Sequence, residues 1–279
     1  MNPKTAIKRL LLRHGGWEAK AWIQSRRGRN DLVFAEARNL IRDIEPGSVL
    51  ILAPHPDDEA IGVGGTLLLH RLAGAEVTVL YLTDGSAGKE IPGLVEARRG
   101  EAKAVGDRYG IKQVFWDEPD TQLNSSQKLA GRLTEMLQDI KPRHLYLPSF
   151  FEKHTDHFMA NQLAVDAMSR YNGSEISLCG YEVWDNIVKP NYHIDITEHF
   201  SKKIEMLALY RTPMEETNYI RLCEARSALH HFLQCFGCSE GHAEAFFRAD
   251  PVTYKAHYDA YVEVLRETGS SLVKRLAPN

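Results

Sequence analysis

The chain has 279 residues, 43% hydrophobic and 25% charged, with a formal net charge of −3. That length and composition support one large domain, or one domain with an extension, around an ordinary core, and the acidic balance argues against general nucleic-acid binding. No apolar run approaches the ~18 residues of a membrane span, Lys8, Arg9 and Arg13 break up the short run a signal peptide would need, and four unevenly spaced cysteines suggest no disulfide framework, so a cytoplasmic location is expected.

Residues 1–30 carry eight Lys or Arg and a single acid, Glu18. Ile7, Leu10 and Leu11 recur at helical spacing, Gly15-Gly16 interrupts, and Trp17, Trp22 and Ile23 follow among basic residues. Such a segment either packs on the body of the protein with its charges in water or makes a peripheral contact with anionic lipid. The first is favoured because the segment is short. A helix is predicted over 31–43, capped by Asn30, with Pro46-Gly47 as its stop. Residues 1–45 are thus read as a basic helical extension, and 46–279 as the main domain.

From Ser48 the pattern alternates. Short apolar, β-branched runs at 48–53, 77–82, 113–116 and 144–147 read as strands, and 60–73, 94–109 and 124–139 as helices between them. Another helix is expected after His157, with strands near 178–184 and 192–196, and a helix-rich tail after Tyr210. This βαβα order predicts an α/β, Rossmann-like fold: a mostly parallel sheet with helices on both faces, in three αβα layers. In such sheets ligands bind outside the carboxyl ends of the strands.

Two clusters lie at such ends. Ala53-Pro-His-Pro-Asp-Asp-Glu59 leaves the first strand with three adjacent carboxylates, whose repulsion needs a cation to offset it. An acidic helix start explains one or two acids, but neither the histidine nor the two prolines. His154-Thr-Asp-His157 follows the strand near 144–147. Alone it reads as a polar helix start; paired with the first cluster it offers two imidazoles and a carboxylate with a fourth position open, a catalytic zinc arrangement. The glycines at 62, 64 and 65 lack the spacing of a dinucleotide loop and are read as close packing. Cys235-x-x-Cys238, with Cys223, His231 and His242 nearby, is a weak candidate for a second metal. Tyr181 and Trp184 are either sugar-pocket or ordinary aromatics.

These motifs resemble the PIG-L/LmbE-like zinc N-deacetylases. PHPDDE at 54–59 and HTDH at 154–157 carry the resemblance, supported by LTDGSAG at 82–88 and the helix EARRGEAKAVGDRYGI at 96–111; it covers roughly 48–200. Thr155 stands where the family has proline, which alters backbone stiffness rather than ligand chemistry. The resemblance implies Zn2+, one per chain with Fe2+ as an alternative, on His55, Asp58 and His157. It implies Asp57 as general base, a protonated His154 facing the oxyanion, Asp156 orienting His154, and Arg98 (with Arg99 as a rival) near substrate. Asp84 and Trp184 complete the expected substrate wall. The implied reaction is hydrolytic removal of an N-acetyl group from an amino sugar or its conjugate. Alternatives are an amidase acting on a larger sugar or thiol conjugate, and a non-catalytic sugar-binding module.

Overall fold

The computed structural model describes residues 40–88, 91–235 and 240–276. Among these described residues, eight strands form one sheet in the order β1-β7-β8-β6-β5-β2-β3-β4. They are β1 (Leu40–Ile41), β2 (Val49–Ala53), β3 (Val77–Thr83), β4 (Lys112–Glu118), β5 (His144–Pro148), β6 (Ser177–Tyr181), β7 (Tyr192–Asp195) and β8 (Ala243–Ala249). Every pairing is parallel except those of β8, which runs antiparallel to β6 and β7.

The helices are α1 (Asp58–Leu72), α2 (Leu94–Tyr109), α3 (Gln127–Ile140), α4 (Thr155–Met168), α5 (Phe200–Leu207), α6 (Arg211–Glu216), α7 (Tyr219–Gln234) and α8 (Pro251–Thr268). Because side chains alternate along a strand, Leu50, Leu52, Leu80 and Leu82 face one way and pack with α3, α4 and α8. Val49, Ile51, Val77 and Val79 face the other way and pack with α1, α2, α5 and α7. A sheet buried on both faces accounts for the unbroken apolar runs at 49–53 and 77–82. The predicted three-layer αβα fold is therefore the observed one.

Two elements differ from expectation. Residues 31–39 of the predicted helix lie outside the described residues, but Leu40–Ile41 form a strand rather than a helix end, because they pair with His193 and Ile194 at the sheet edge. The tail after Tyr210 contains β8 among its helices. Its segment AEAFFRA is buried between β6 and β7, so its pattern is neither alternating nor helical.

Helix α1 carries the first motif and is anchored from below. Glu244 on β8 accepts the amides of Gly65 and Thr66 at 2.9 and 2.8 Å, and pairs at 2.6 Å with Lys203, whose ammonium also donates to Ile61 O at 2.7 Å. The glycines of α1 permit close packing, as expected: a Cβ on Gly62 would lie 2.1 Å from the Tyr181 ring, and one on Gly65 2.7 Å from Ile196.

Candidate active site

Strands β2 and β5 are adjacent and parallel, with Val49 opposite His144. Succession runs outward from β2 through β3 to β4 on one side, while β5 and β6 lie on the other, so the crevice at their carboxyl ends is the topological switch point. The Pro54–Asp57 turn leaves β2 there, and the loop before α4 leaves β5 there, which brings together residues about a hundred positions apart.

Three lone-pair atoms form a near-equilateral triangle. His55 Nδ1 lies 3.2 Å and His157 Nε2 3.3 Å from Asp58 Oδ2, and the two ring nitrogens are 3.3 Å apart. Ligands at ~2.0–2.1 Å from a tetrahedral ion are separated by roughly 3.3 Å, so the donor set fits such an ion with its fourth position open. His55, His154 and His157 form one cation-capable group, and His55, Asp120, His154 and Asp156 another.

Each ring is oriented from behind. His55 Nε2 faces Asp120 Oδ1 at 3.2 Å and Asp156 Oδ2 at 3.4 Å. His157 Nδ1 faces Glu152 Oε2 at 3.4 Å. A carboxylate taking the far N–H leaves the near lone pair for a metal. Burial works against the charged rings, yet the facing carboxylates win: His55 is held protonated well above its usual range, and His157 is pushed up to about 9. Asp58 is held well below the usual carboxylate range by the two rings, against its burial. Asp120 drops to about 2, because its contacts with His55 outweigh its burial.

A cation must displace these protons. Zinc binding to the metal-free protein near pH 7.5 is expected to release at least one proton, and affinity should rise with pH as His55 and His157 lose their protons. The raised value of His157 stabilises the metal-free fold below pH 6.5, a contribution lost as pH rises through about 9. Calorimetry in buffers of differing ionisation heat measures the proton count; a binding heat independent of buffer would refute the expectation.

Asp57 makes no part of the triangle. It is buried, and its carboxylate pairs with the Arg98 guanidinium at 3.8 Å. Its backbone φ of 127° is a costly conformation for a residue with a Cβ, of order 1–3 kcal/mol, and it directs the carboxylate out of the helix start. Burial and the Asp58 charge raise its proton affinity well above normal, with Arg98 acting the other way. Glu59 sits behind. It accepts the Asp57 amide at 3.3 Å and the Tyr210 hydroxyl, and burial lifts it to about 7.

His154 caps α4, its Nδ1 accepting the Asp156 amide at 3.3 Å. The remaining proton of the neutral ring is therefore on Nε2. In the metal-free protein, burial and the rings of His55 and His157 lower His154 to about 4. The Asp156 carboxylate accepts Thr121 N at 2.6 Å and Leu123 N at 3.1 Å and faces His55, while its backbone amide donates to His154.

Of the substrate residues, Arg98 donates to Gly85 O at 2.7 Å beside Asp57, whereas Arg99 pairs with Asp117 away from the cleft. Asp84 is turned inward as a loop organiser, accepting Ser86 N at 2.9 Å and Asp120 N at 3.3 Å. Trp184 stands edge-on to His154 at 4.9 Å, with 46% of its surface exposed. Asp120 and Glu152 are unforeseen members of the site, hinted at only by an acid in each loop beyond a strand; Tyr219, also unforeseen, stands behind it and accepts the Trp184 indole N–H. The second metal candidate does not assemble among the described residues: the Cys223 thiol contacts Ile61 O, and His242 bonds Ser227. Cys235 is disulfide-bonded, which the uneven cysteine spacing does not predict, and Cys238 lies outside the described residues.

Fold and site together define a class: a doubly wound α/β protein with a three-donor metal site and a separate buried carboxylate at its switch point. The family model described as PIG-L, GlcNAc-PI de-N-acetylase, matches residues 50–168, the part of the chain that carries both motifs. The chain is 29% identical to the diacetylchitobiose deacetylase of Thermococcus kodakarensis, a match covering 60% of this chain and 70% of that one. It is 27% identical to the 1D-myo-inositol 2-acetamido-2-deoxy-alpha-D-glucopyranoside deacetylase of Kineococcus radiotolerans, spanning 48% of each. The N,N'-diacetylchitobiose deacetylase structure from Pyrococcus horikoshii superposes with a TM-score of 0.65 at 24% identity, covering 77% of this chain and 89% of that one, and shares the fold. No helix among the described residues is long and apolar enough to cross a membrane.

Proposed function

We propose that this protein is a zinc-dependent hydrolase that removes the N-acetyl group from an amino sugar or amino-sugar conjugate. The observation that carries the reading is the pairing of a complete ligand triangle, His55, Asp58 and His157, with a buried carboxylate, Asp57, that is not part of it. A binding module needs the first but not the second. By their names, one relative deacetylates diacetylchitobiose and the other a 2-acetamido-2-deoxy-glucopyranoside of inositol, which supports the substrate class.

Zinc held there would act as a Lewis acid on the amide carbonyl and on water. Asp57 takes a proton from the attacking water as the new C–O bond forms. The neutral Nε2–H of His154 donates to the oxygen that gains negative charge. As the C–N bond breaks, the proton on Asp57 passes to the departing nitrogen, giving a free amine and acetate. Arg98 keeps Asp57 in place between these steps. Trp184 offers an aromatic wall to the rest of a sugar conjugate.

The test is acetate release from a panel of N-acetylglucosamine conjugates, N,N'-diacetylchitobiose among them, before and after chelation and zinc readdition. Release that chelation abolishes and zinc restores is the expected result. Tight zinc and sugar binding with no acetate from any member would instead favour the binding module.

A further inference from the structure

Trp184 is not held by the strand it follows but by a clamp. On one side, the Glu152 carboxylate accepts the amides of Val183 at 2.7 Å, Trp184 at 3.1 Å and Asp185 at 3.2 Å. The same carboxylate faces the ring of His157. On the other side, α7 supplies two contacts. Arg226 donates to Val183 O at 2.8 Å and to Trp184 O at 3.2 Å, and the Tyr219 hydroxyl accepts the indole N–H of Trp184 at 3.2 Å. Tyr219 is itself buried, and Arg226 also lies 3.7 Å from Glu182. The amides of 183–185 are thus committed to the metal side, and the carbonyls of Val183 and Trp184 to α7. The indole, fixed at its polar tip, keeps half its surface open to the cleft.

We propose that Tyr219 and Arg226 are positioning residues that set the pitch of Trp184, and that the indole they hold is a stacking platform for a sugar ring beyond the one bearing the N-acetyl group. An aromatic face complements the C–H face of a pyranose, and a stack is effective only if its plane is held, because a free indole must first be ordered. Helix α7 lies outside the matched region 50–168, so substrate length is set by a part of the chain separate from the chemistry. The proposal rests on the deacetylase reading for its kinetic arm only.

The experiment compares wild type with Tyr219→Phe, Arg226→Lys and Trp184→Phe, all zinc-loaded, on N,N'-diacetylchitobiose and on N-acetylglucosamine. Tyr219→Phe is expected to raise KM for the disaccharide about 5–10-fold with kcat within about twofold, to leave the monosaccharide unaffected, and to add nothing in the Trp184→Phe background. Arg226→Lys should act in the same direction, because a lysine cannot fork to two carbonyls. The second readout needs no turnover: the indole N–H resonance of Trp184, assigned by its loss in Trp184→Phe, should shift in Tyr219→Phe and respond to the disaccharide in wild type. A fall in kcat with KM unchanged, or equal effects on both sugars, overturns the proposal. If wild type releases no acetate, the deacetylase reading falls, and a Trp184 resonance indifferent to the disaccharide overturns the platform separately.

Discussion

Asp57→Asn should lower kcat by about 10²–10⁴-fold, the range of a lost general acid–base group, with zinc stoichiometry unchanged. The asparagine keeps the shape of the side chain and tolerates the positive φ of 127° as aspartate does, so the turn and the ligand triangle survive. What is lost is a site for a proton beside Arg98, 3.8 Å away. Replacing Asp58, one residue on, would confound metal loss with proton transfer; the neighbour's place outside the triangle makes the separation clean. Acetate release and zinc content on the same preparations check the expectation. A decrease of less than tenfold, with zinc in place, would mean that the proton goes elsewhere.

His157→Ala should remove zinc rather than slow a loaded enzyme. Loss of an outer carboxylate behind a ligand weakens metal binding 10–100-fold, and loss of the ligand itself should exceed about 100-fold. The metal-free fold should also suffer. His157 is fully buried between Asp58 and Glu152, at 3.3 and 3.4 Å, and its removal leaves two buried carboxylates short of a partner. Breaking such a buried pair costs about 3–5 kcal/mol, which urea titration of the metal-free proteins would measure. His157→Gln, which returns a hydrogen-bonding side chain of similar reach, should recover part of the stability and little of the zinc. An alanine variant that retains stoichiometric zinc through dialysis would displace His157 from the ligand set.

The alternation of β-branched runs with helical spacing after Ser48 was sufficient for the layered fold, because burial on both faces and the 3.6-residue period each leave a mark along the chain. The same holds for the two motifs. A histidine and three acids directly after a strand are local chemistry, and a parallel sheet brings strand ends together whatever the loops do. Thus PHPDDE and HTDH were legible as one site before any geometry was available.

Features built from distant partners left no such mark. Whether His154 is charged depends on how closely two other rings approach it, and whether Asp156 serves His154 or His55 depends on which way a helix start turns. Strand β8, buried between neighbours of opposite direction, shows no periodicity of its own. Asp120, Glu152 and Tyr219 are ordinary residues in their local sequence; they acquire a role only because α7 and two loops converge on the crevice. Ligand identity is a property of residue type at a strand end, readable in one dimension. Orientation, protonation and the clamp on Trp184 are distances between segments about 30 to 100 residues apart, and a distance exists only once the chain has folded.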